Sequence, residues 1–243
     1  MRILLDWLAA TRPDVLCVQE TKVVDEDFPA EDIRAAGYEV AFRGQKSYNG
    51  VAILSLGPLK NVAFGLDDDG PADEPRLIRG MYRGVHIVNT YVPQGQDTGL
   101  PVYQYKLEWF ARLRGLFERC YTTRQKVLWC GDLNVAPTEI DVHDPKRLLG
   151  HVCFNPEVQA AFGGVVDWGF VDVLRKHHPE PGQYTFYDYR APSSLRANKG
   201  WRIDHLLATK PLAARCVDCA IDLGPRKLPK PSDHTPLVGE FEL

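Results

Sequence analysis

Five short polar motifs hold the residues best fitted for chemistry. They are Val18-Gln19-Glu20-Thr21-Lys22, Asn89-Thr90-Tyr91-Val92-Pro93-Gln94-Gly95, Gly131-Asp132-Leu133-Asn134, Trp201-Arg202-Ile203-Asp204 and Ser232-Asp233-His234. Each stands at or near the end of an apolar run that reads as a β-strand. Strand ends on one sheet edge converge in space even when they are far apart in the chain. Together the motifs supply carboxylates for a hard divalent cation, a His–Asp pair, an amide and a phenol. Those groups are what setting water against a phosphate ester requires.

Every one of these residues also has a plainer reading. Glu20 alone is an exposed strand-end acid paired with Lys22. Asp132 and Asn134 point the same way if their strand continues, with Leu133 in the core, but Gly, Asp and Asn are equally turn residues. Asp132 can orient or deprotonate water, and Asn134 can donate to a developing oxyanion. His234 alone is a surface-loop histidine. Asp204, at the head of a strongly apolar strand, needs a partner, and His234 is the candidate. His205 should then point to the other face. Tyr91 closes a strand, where packing is the commoner role for a tyrosine. The stretch 184–204 interleaves aromatics with Arg190, Arg196, Lys199 and Arg202. That composition suits a loop that meets phosphates while aromatic faces receive a base or sugar. Arg226, Lys227 and Lys230 add positive charge before Ser232.

The elements that must position these groups follow from periodicity. Leu4, Leu5, Trp7 and Leu8 predict a helix over 3–11, broken by Pro13-Asp14. Val15–Val18 is a buried strand ending at Gln19-Glu20. A helix is expected over 29–36, stopped by Gly37. Strands follow at 38–42 and 51–54, then a loop over 57–75 around one weak strand. Residues 77–82 and 86–92 form a hairpin across Arg83-Gly84. The longest helical pattern spans 102–122. A short strand at 127–129 runs into Gly131-Asp132, a helix covers 158–168, and strand-like runs lie near 184–187, 203–208, 215–221 and 236–242. This mixture predicts an α/β sandwich with helices over packed sheets.

Bulk properties bound the rest. A length of 243 residues, 44% of them apolar, suits one large domain over 1–243. No run approaches the ~20 apolar residues of a membrane span, and the N-terminus lacks a signal peptide's apolar region. The expectation is a cytosolic (cytoplasmic) monomer. A net charge of −3 argues against a protein that coats nucleic acid by bulk charge, though not against a local basic groove. Six cysteines read as free thiols. Cys216-x-x-Cys219 is a weak zinc signal, because on a strand the two thiols should face opposite sides.

The order and spacing of Pro13-Asp14-Val15, Gln19-Glu20-Thr21-Lys22, Gly37-Tyr38, Gly50-Val51-Ala52, Tyr91-Val92-Pro93-Gln94-Gly95, Gly131-Asp132-Leu133-Asn134, Arg202-Ile203-Asp204 and Ser232-Asp233-His234 are specific as a set. In them the chain resembles the exonuclease III family of abasic-site (AP) endonucleases, within the endonuclease/exonuclease/phosphatase superfamily. The resemblance implies a DNase I-like four-layer α/β sandwich, with two packed, mixed and largely antiparallel sheets flanked by helices. It implies a Mg²⁺- or Mn²⁺-dependent DNA phosphodiesterase of base excision repair. Such an enzyme cuts double-stranded DNA 5′ to abasic sites and trims nucleotides or blocking groups from 3′ ends. By motif position, Glu20 resembles the principal metal ligand, with Asp132, Asn134, Asp233 and His234 around the ion. Asp132 resembles the residue that positions or activates water, Asn134 the transition-state donor and Tyr91 the phosphate-contacting phenol. Asp204 and His234 resemble the pair that stabilises the phosphate. Phe186, Trp201 and Ile203 match a pocket for a base-free sugar, and Lys22, Gln94, Arg190 and Arg202 are further substrate contacts. Extruding an unstacked residue into such a pocket is cheap.

The resemblance lacks one part. The family's first strand bears an Asn-containing motif, and residues 1–20 contain no Asn. For a chain beginning at Met1, a sheet is then a strand short and the metal site an amide short. The expectation is weak stability and reduced or absent nuclease activity. Two other readings stand beside the nuclease: a phosphatase of small phosphoesters or phosphoinositides, and a catalytically weakened DNA-binding protein.

Overall fold

The computed structural model describes residues 1–71, 74–191 and 193–243. The parts of the predicted 57–75 loop and 184–204 stretch at 72–73 and 192 lie outside the described residues. The chain opens with α1 (Arg2–Thr11), β1 (Val15–Gln19), α2 (Ala30–Ala35), β2 (Glu39–Arg43) and β3 (Val51–Ser55). The strands form an antiparallel sheet in the order β1-β3-β2. All five residues of β3 are buried, because strand alternation divides its apolar run between two cores. Val51 and Ile53 face a larger sheet, while Ala52 and Leu54 pack with Leu8 of α1 and Ile33 of α2. Full burial of an Ile or Leu side chain contributes about 1.5–3 kcal/mol.

The larger sheet comprises β4 (Lys60–Phe64), β5 (Leu77–Tyr82), β6 (Val85–Tyr91), β7 (Val127–Asp132), β8 (Phe170–Asp172) and β9 (Asp204–Thr209). Its order is β4-β5-β6-β7-β9-β8. Only β6 and β7 among these neighbours run parallel. Their crossover contains α3 (Pro101–Cys120), as a parallel connection requires. On one face Leu77, Val88, Trp129 and Leu207 pack against α3, whose Trp109, Phe110, Leu113, Leu116 and Phe117 recur at helical spacing. Val158, Phe162 and Val165 of a second helix join that core. The opposite face presents Ile78, Ile87, Cys130 and Ala208 to the smaller strands.

The remaining elements are α4 (Pro145–Leu148), α5 (Pro156–Val166), which carries Val158, α6 (Val173–His177), α7 (Lys210–Ala213), β10 (Cys216–Ile221) and β11 (Leu237–Phe241). Strands β10 and β11 form an antiparallel pair on the same face as β1 and β3. The layers are therefore α3/α5, the six-stranded sheet, a second β layer in two pieces, and α1/α2. That is the predicted four-layer sandwich.

Two expectations need correction. No strand forms at 184–187; Phe186 makes only isolated bridges, to Trp201 and to His234. Cys216 and Cys219 do not face opposite sides. A register shift between Cys216 and Asp218 turns both inward, as a bulge does to strand parity. Both remain free thiols, as do the other four cysteines. Helices α4, α6 and α7 and strand β8 are too short to show periodicity and had no counterpart in the sequence reading.

Among the described residues β1 pairs only with β3, and β11 only with β10. Residues of both strands line one open cleft of about 1220 Å³, together with Ile87, Leu128, Cys130 and Leu206. Glu20, Asp132, Asp204 and His234 line the same cleft.

Candidate active site

Strand register assembles the centre of the site. Tyr91, the last residue of β6, is level with Asp132, the last of β7. Asp132 is level with Asp204, the first of β9. Tyr91, Asp132 and Asp204 thus form a row at one sheet end. By alternation from Ile87, Cys130 and Leu206 they point to the face covered by β1. Gly131 lets β6 and β7 approach there: its φ is +125°, and a Cβ would lie 2.0 Å from Thr90 O.

Glu20 follows β1 with φ +55° and reaches across to the row. Its Oε1 accepts the Tyr91 hydroxyl proton, and its Oε2 lies 2.6 Å from Lys22 Nζ. The layer spacing is fixed by Asn89, a fully buried residue. Its amide donates to Val18 O (3.1 Å) and Ala52 O (3.0 Å) and accepts from Gln19 Nε2 (2.6 Å). Asn89 is not among the residues expected to do chemistry. Its signal was an amide in the middle of an apolar strand, where a polar group must find partners.

Asn134 reaches Asp132 by a turn, not by strand continuation. Regular pairing ends at Asp132, and Asn134 adopts φ +49°. Its backbone N–H donates to Asp132 Oδ1 (3.0 Å), while its Nδ2 donates to Asp132 Oδ2 (3.2 Å) and Val92 O (3.0 Å). Leu133 is buried in the core, as expected.

His234 closes the site. Its Nδ1 lies 2.8 Å from Asp204 Oδ2, and its Nε2 lies 3.8 Å from Asp132 Oδ2. Burial alone would depress its proton affinity, but the Asp204 carboxylate outweighs burial and raises the pKa to about 10. His234 is therefore an imidazolium at neutral pH. Burial pushes Asp132 up to about 7, with His234 pulling the other way and Asp204 adding to the rise. For Glu20, partial burial is outweighed by the bonds from Lys22 and Tyr91, and its carboxyl lies below the usual range. Burial and the bond to Glu20 hold the Tyr91 phenol protonated.

The structure distributes the other predicted residues unevenly. Phe186 stacks edge-on to His234, with ring centroids 5.1 Å apart. Trp201 is half-buried, paired with Phe186 and packed on Ala136, Val142 and Phe154. Ile203 is buried beneath the site, and its carbonyl accepts the Leu133 N–H (2.9 Å). Gln94 and Arg190 are exposed, and Arg190 pairs with Asp188 (3.0 Å). Lys22 and Asp233 line the cleft.

Arg202 requires correction. It is 1% exposed and ion-paired to Asp141 (2.6 Å) and Asp172 (2.7 Å), so it cannot reach a substrate. It also donates to His205 Nδ1 (3.0 Å), whose Nε2–H is given to Val135 O (2.8 Å). His205 does face away from Asp204, as expected.

Among the described residues, no three His, Cys, Asp or Glu side chains converge tightly enough to cage an ion. The Asn134 amide is engaged inside the protein: its Nδ2 donates to Asp132 and Val92, and its Oδ1 lies 3.8 Å from the buried Cys153 thiol. The His234 Nε2 faces Asp132 Oδ2 at 3.8 Å. The oxygen donors of Glu20, Asp132 and Asp233 still fit a hard cation. Mg²⁺ takes one or two protein carboxylates and completes its shell with water and substrate phosphate. The Lys22 ammonium against Glu20 marks the place as one that attracts positive charge.

Comparison with known proteins agrees with this geometry. A model of the endonuclease/exonuclease/phosphatase family matches residues 1–234. Exodeoxyribonuclease III of Haemophilus influenzae is 35% identical over 246 residues, covering 95% of this chain and 91% of its own. An AP endonuclease structure from Archaeoglobus fulgidus superposes with a TM-score of 0.97 at 50% identity, covering 100% of this chain and 94% of that one. A 3′ phosphatase from Neisseria, bound to a product DNA hairpin, superposes with a TM-score of 0.93 at 35% identity, covering 99% and 93%.

Proposed function

Since the chain belongs to the endonuclease/exonuclease/phosphatase family, we propose that it is a DNA repair phosphodiesterase, cutting the backbone 5′ to abasic sites and processing 3′ ends. The observation that carries this reading is the Tyr91–Asp132–Asp204 row, with Glu20 and the His234 imidazolium at its open side. The hydrolase activity on DNA accords with the relatives named exodeoxyribonuclease III and AP endonuclease.

In this reading the side chains divide the work. The His234 Nε2–H, held positive by Asp204, donates to a non-bridging phosphate oxygen. Asp132 orients water and takes its proton. The Tyr91 hydroxyl exchanges Glu20 for a phosphate oxygen. Asn134 keeps Asp132 pointed at the attacking water. Glu20 and Asp132 would hold Mg²⁺ or Mn²⁺, which neutralises charge on the phosphate and leaving oxygen. Phe186 and Trp201 offer apolar faces to a sugar without a base.

The same reading takes residues 1–243 as one domain working as a monomer. Six free thiols suit a reducing, cytoplasmic compartment. Among the described residues no helix is long and apolar enough to cross a membrane.

The test is cleavage of one duplex carrying a single abasic site, with Mg²⁺ and with EDTA. Cleavage should require the cation. Glu20→Ala and Asp132→Asn should each lower kcat by roughly 10²–10⁴-fold, with duplex affinity retained. Full activity in both variants, or faster turnover of a small phosphoester than of abasic DNA, overturns the assignment.

A further inference from the structure

In the second turn of α3 lies a lysine outside every motif. Lys106 is 0% exposed, on a helix face otherwise built from Trp109, Phe110 and Leu113. A buried ammonium is tolerated only where its protons are bonded. Its Nζ donates to Asn134 O (2.7 Å), Val152 O (2.8 Å) and Gln94 O (3.1 Å). An ammonium has three protons, so this set uses all of them. The carbonyls belong to three separate segments: the turn after β7, the loop before α5 and the loop after β6.

We propose that Lys106 is a positioning residue, a three-way clamp that sets the Asn134 turn and hence Asp132 for phosphodiester cleavage. The proposal rests on the functional reading above. Asn134 sits at φ +49°, a conformation an L-residue keeps only when its surroundings impose it. Lys106 holds the carbonyl of this residue, while Asp132 Oδ1 holds its N–H (3.0 Å). The loop at Gln94 is shaped to the same lysine. Gly95 has φ +99°, and a Cβ there would lie 3.4 Å from Lys106 Cδ and 3.2 Å from Tyr103 Cδ2. An apolar side chain would fill the volume of Lys106 but leave three inward carbonyls without this donor. Packing alone does not call for a lysine here.

The experiment is a mutant cycle on the 243-residue protein: Lys106→Met, Lys106→Arg, Asn134→Ala and the two doubles. The readouts are kcat and KM on the abasic duplex with Mg²⁺, and thermal melting. Lys106→Met should lower kcat about 100-fold, the scale of an ångström-sized misplacement, with KM changed less than about threefold. Lys106→Arg keeps the charge but cannot present three protons from one point, so it should recover only part of the rate. Asn134→Ala should cost far less in either Lys106 background than in the wild type, because the clamp and the amide act in series. If Lys106→Met does not fold, the Arg cycle decides alone. Wild-type kcat in a folded Lys106 variant, or an Asn134→Ala loss that multiplies in full with the Lys106 loss, overturns the clamp. Absence of cleavage by the wild type would instead overturn the functional reading. The Asn134 side-chain amide resonances, expected to shift in Lys106→Arg, would then decide the clamp, and unmoved resonances would end it.

Discussion

Asp204 and His234 show how a single contact sets a residue's chemistry. Burial acts to strip the His234 proton, and the Asp204 carboxylate 2.8 Å away reverses the outcome. In Asp204→Asn that reversal disappears, and the imidazole should be neutral above its ordinary pKa of 6.5. The activity of the variant relative to wild type, compared at each pH so that Asp132 titration largely cancels, should be roughly 25-fold lower at pH 8 than at pH 6. Equal losses at both values would mean that Asp204 does not act through the charge on His234. These residues were legible because each stands at or near the end of an apolar run, so their convergence could be read from strand ends alone. Lys106 and Asn89 were not. A buried cation or amide is useful only through partners that the fold brings from distant segments. Arg202 shows the converse error: its basic, aromatic-rich neighbourhood suggested a phosphate contact, yet its partners, Asp141 and Asp172, lie 61 and 30 residues away.

Those partners act on an element. Asp141 holds the Arg202 guanidinium with its side chain and the Arg202 N–H with its carbonyl (2.8 Å). It also binds Arg175 and the Thr138 hydroxyl and N–H. This fixes the approach to β9, and so where Asp204 emerges beside Asp132. Asp141→Asn would leave two arginines, one fully buried, facing a neutral amide. Breaking a buried pair from one side costs about 3–5 kcal/mol, which for a chain of this size lowers Tm by roughly 10 °C. A melting temperature within about 2 °C of wild type would show that Asp172 alone satisfies Arg202. The long strands and helices were legible because each spans several periods of alternation or helical repeat. The 184–187 segment alternates like a strand but finds partners one residue at a time. At β10, one extra residue reversed the expected side-chain parity. Local pattern fixes which residues favour a strand, while pairing and bulges are settled by neighbours the pattern does not contain.

Across the molecule the perturbed groups make a pH profile whose parts oppose one another. The profile is that of the protein in EDTA, because a bound divalent cation would pull the Asp132 pKa down. Stability rises with pH wherever the unfolded chain binds more protons. Burial, with Arg202 beside it, lowers His205 to about 4. Between pH 6.5 and 4 the unfolded chain therefore takes a proton that the native state refuses, and stability falls on acidification. Burial of His86 and His151 adds in the same direction. Asp132, raised by burial to about 7, does the reverse: from pH 7 down to about 4 its native carboxyl binds the proton first, and stability rises. His205 and Asp132 should nearly cancel between pH 4 and 6.5, leaving the wild type the shallower fall on acidification that His86 and His151 supply. Above pH 6.5 the raised pKa of His234 makes stability fall as pH climbs toward 10. Below about pH 4, Asp68, bonded to Arg112, and Asp141, held down by its arginines against its own burial, both have pKa values of about 2. Their contribution is lost as pH falls through that value. Single substitutions should unmask the hidden slopes. Urea unfolding of Asp132→Asn should lose of the order of 3 kcal/mol between pH 6.5 and 4, whereas His205→Gln should gain stability over the same interval. Two flat profiles would mean that neither group is perturbed as its burial requires, and the desolvated floor assigned to this site would have to be abandoned.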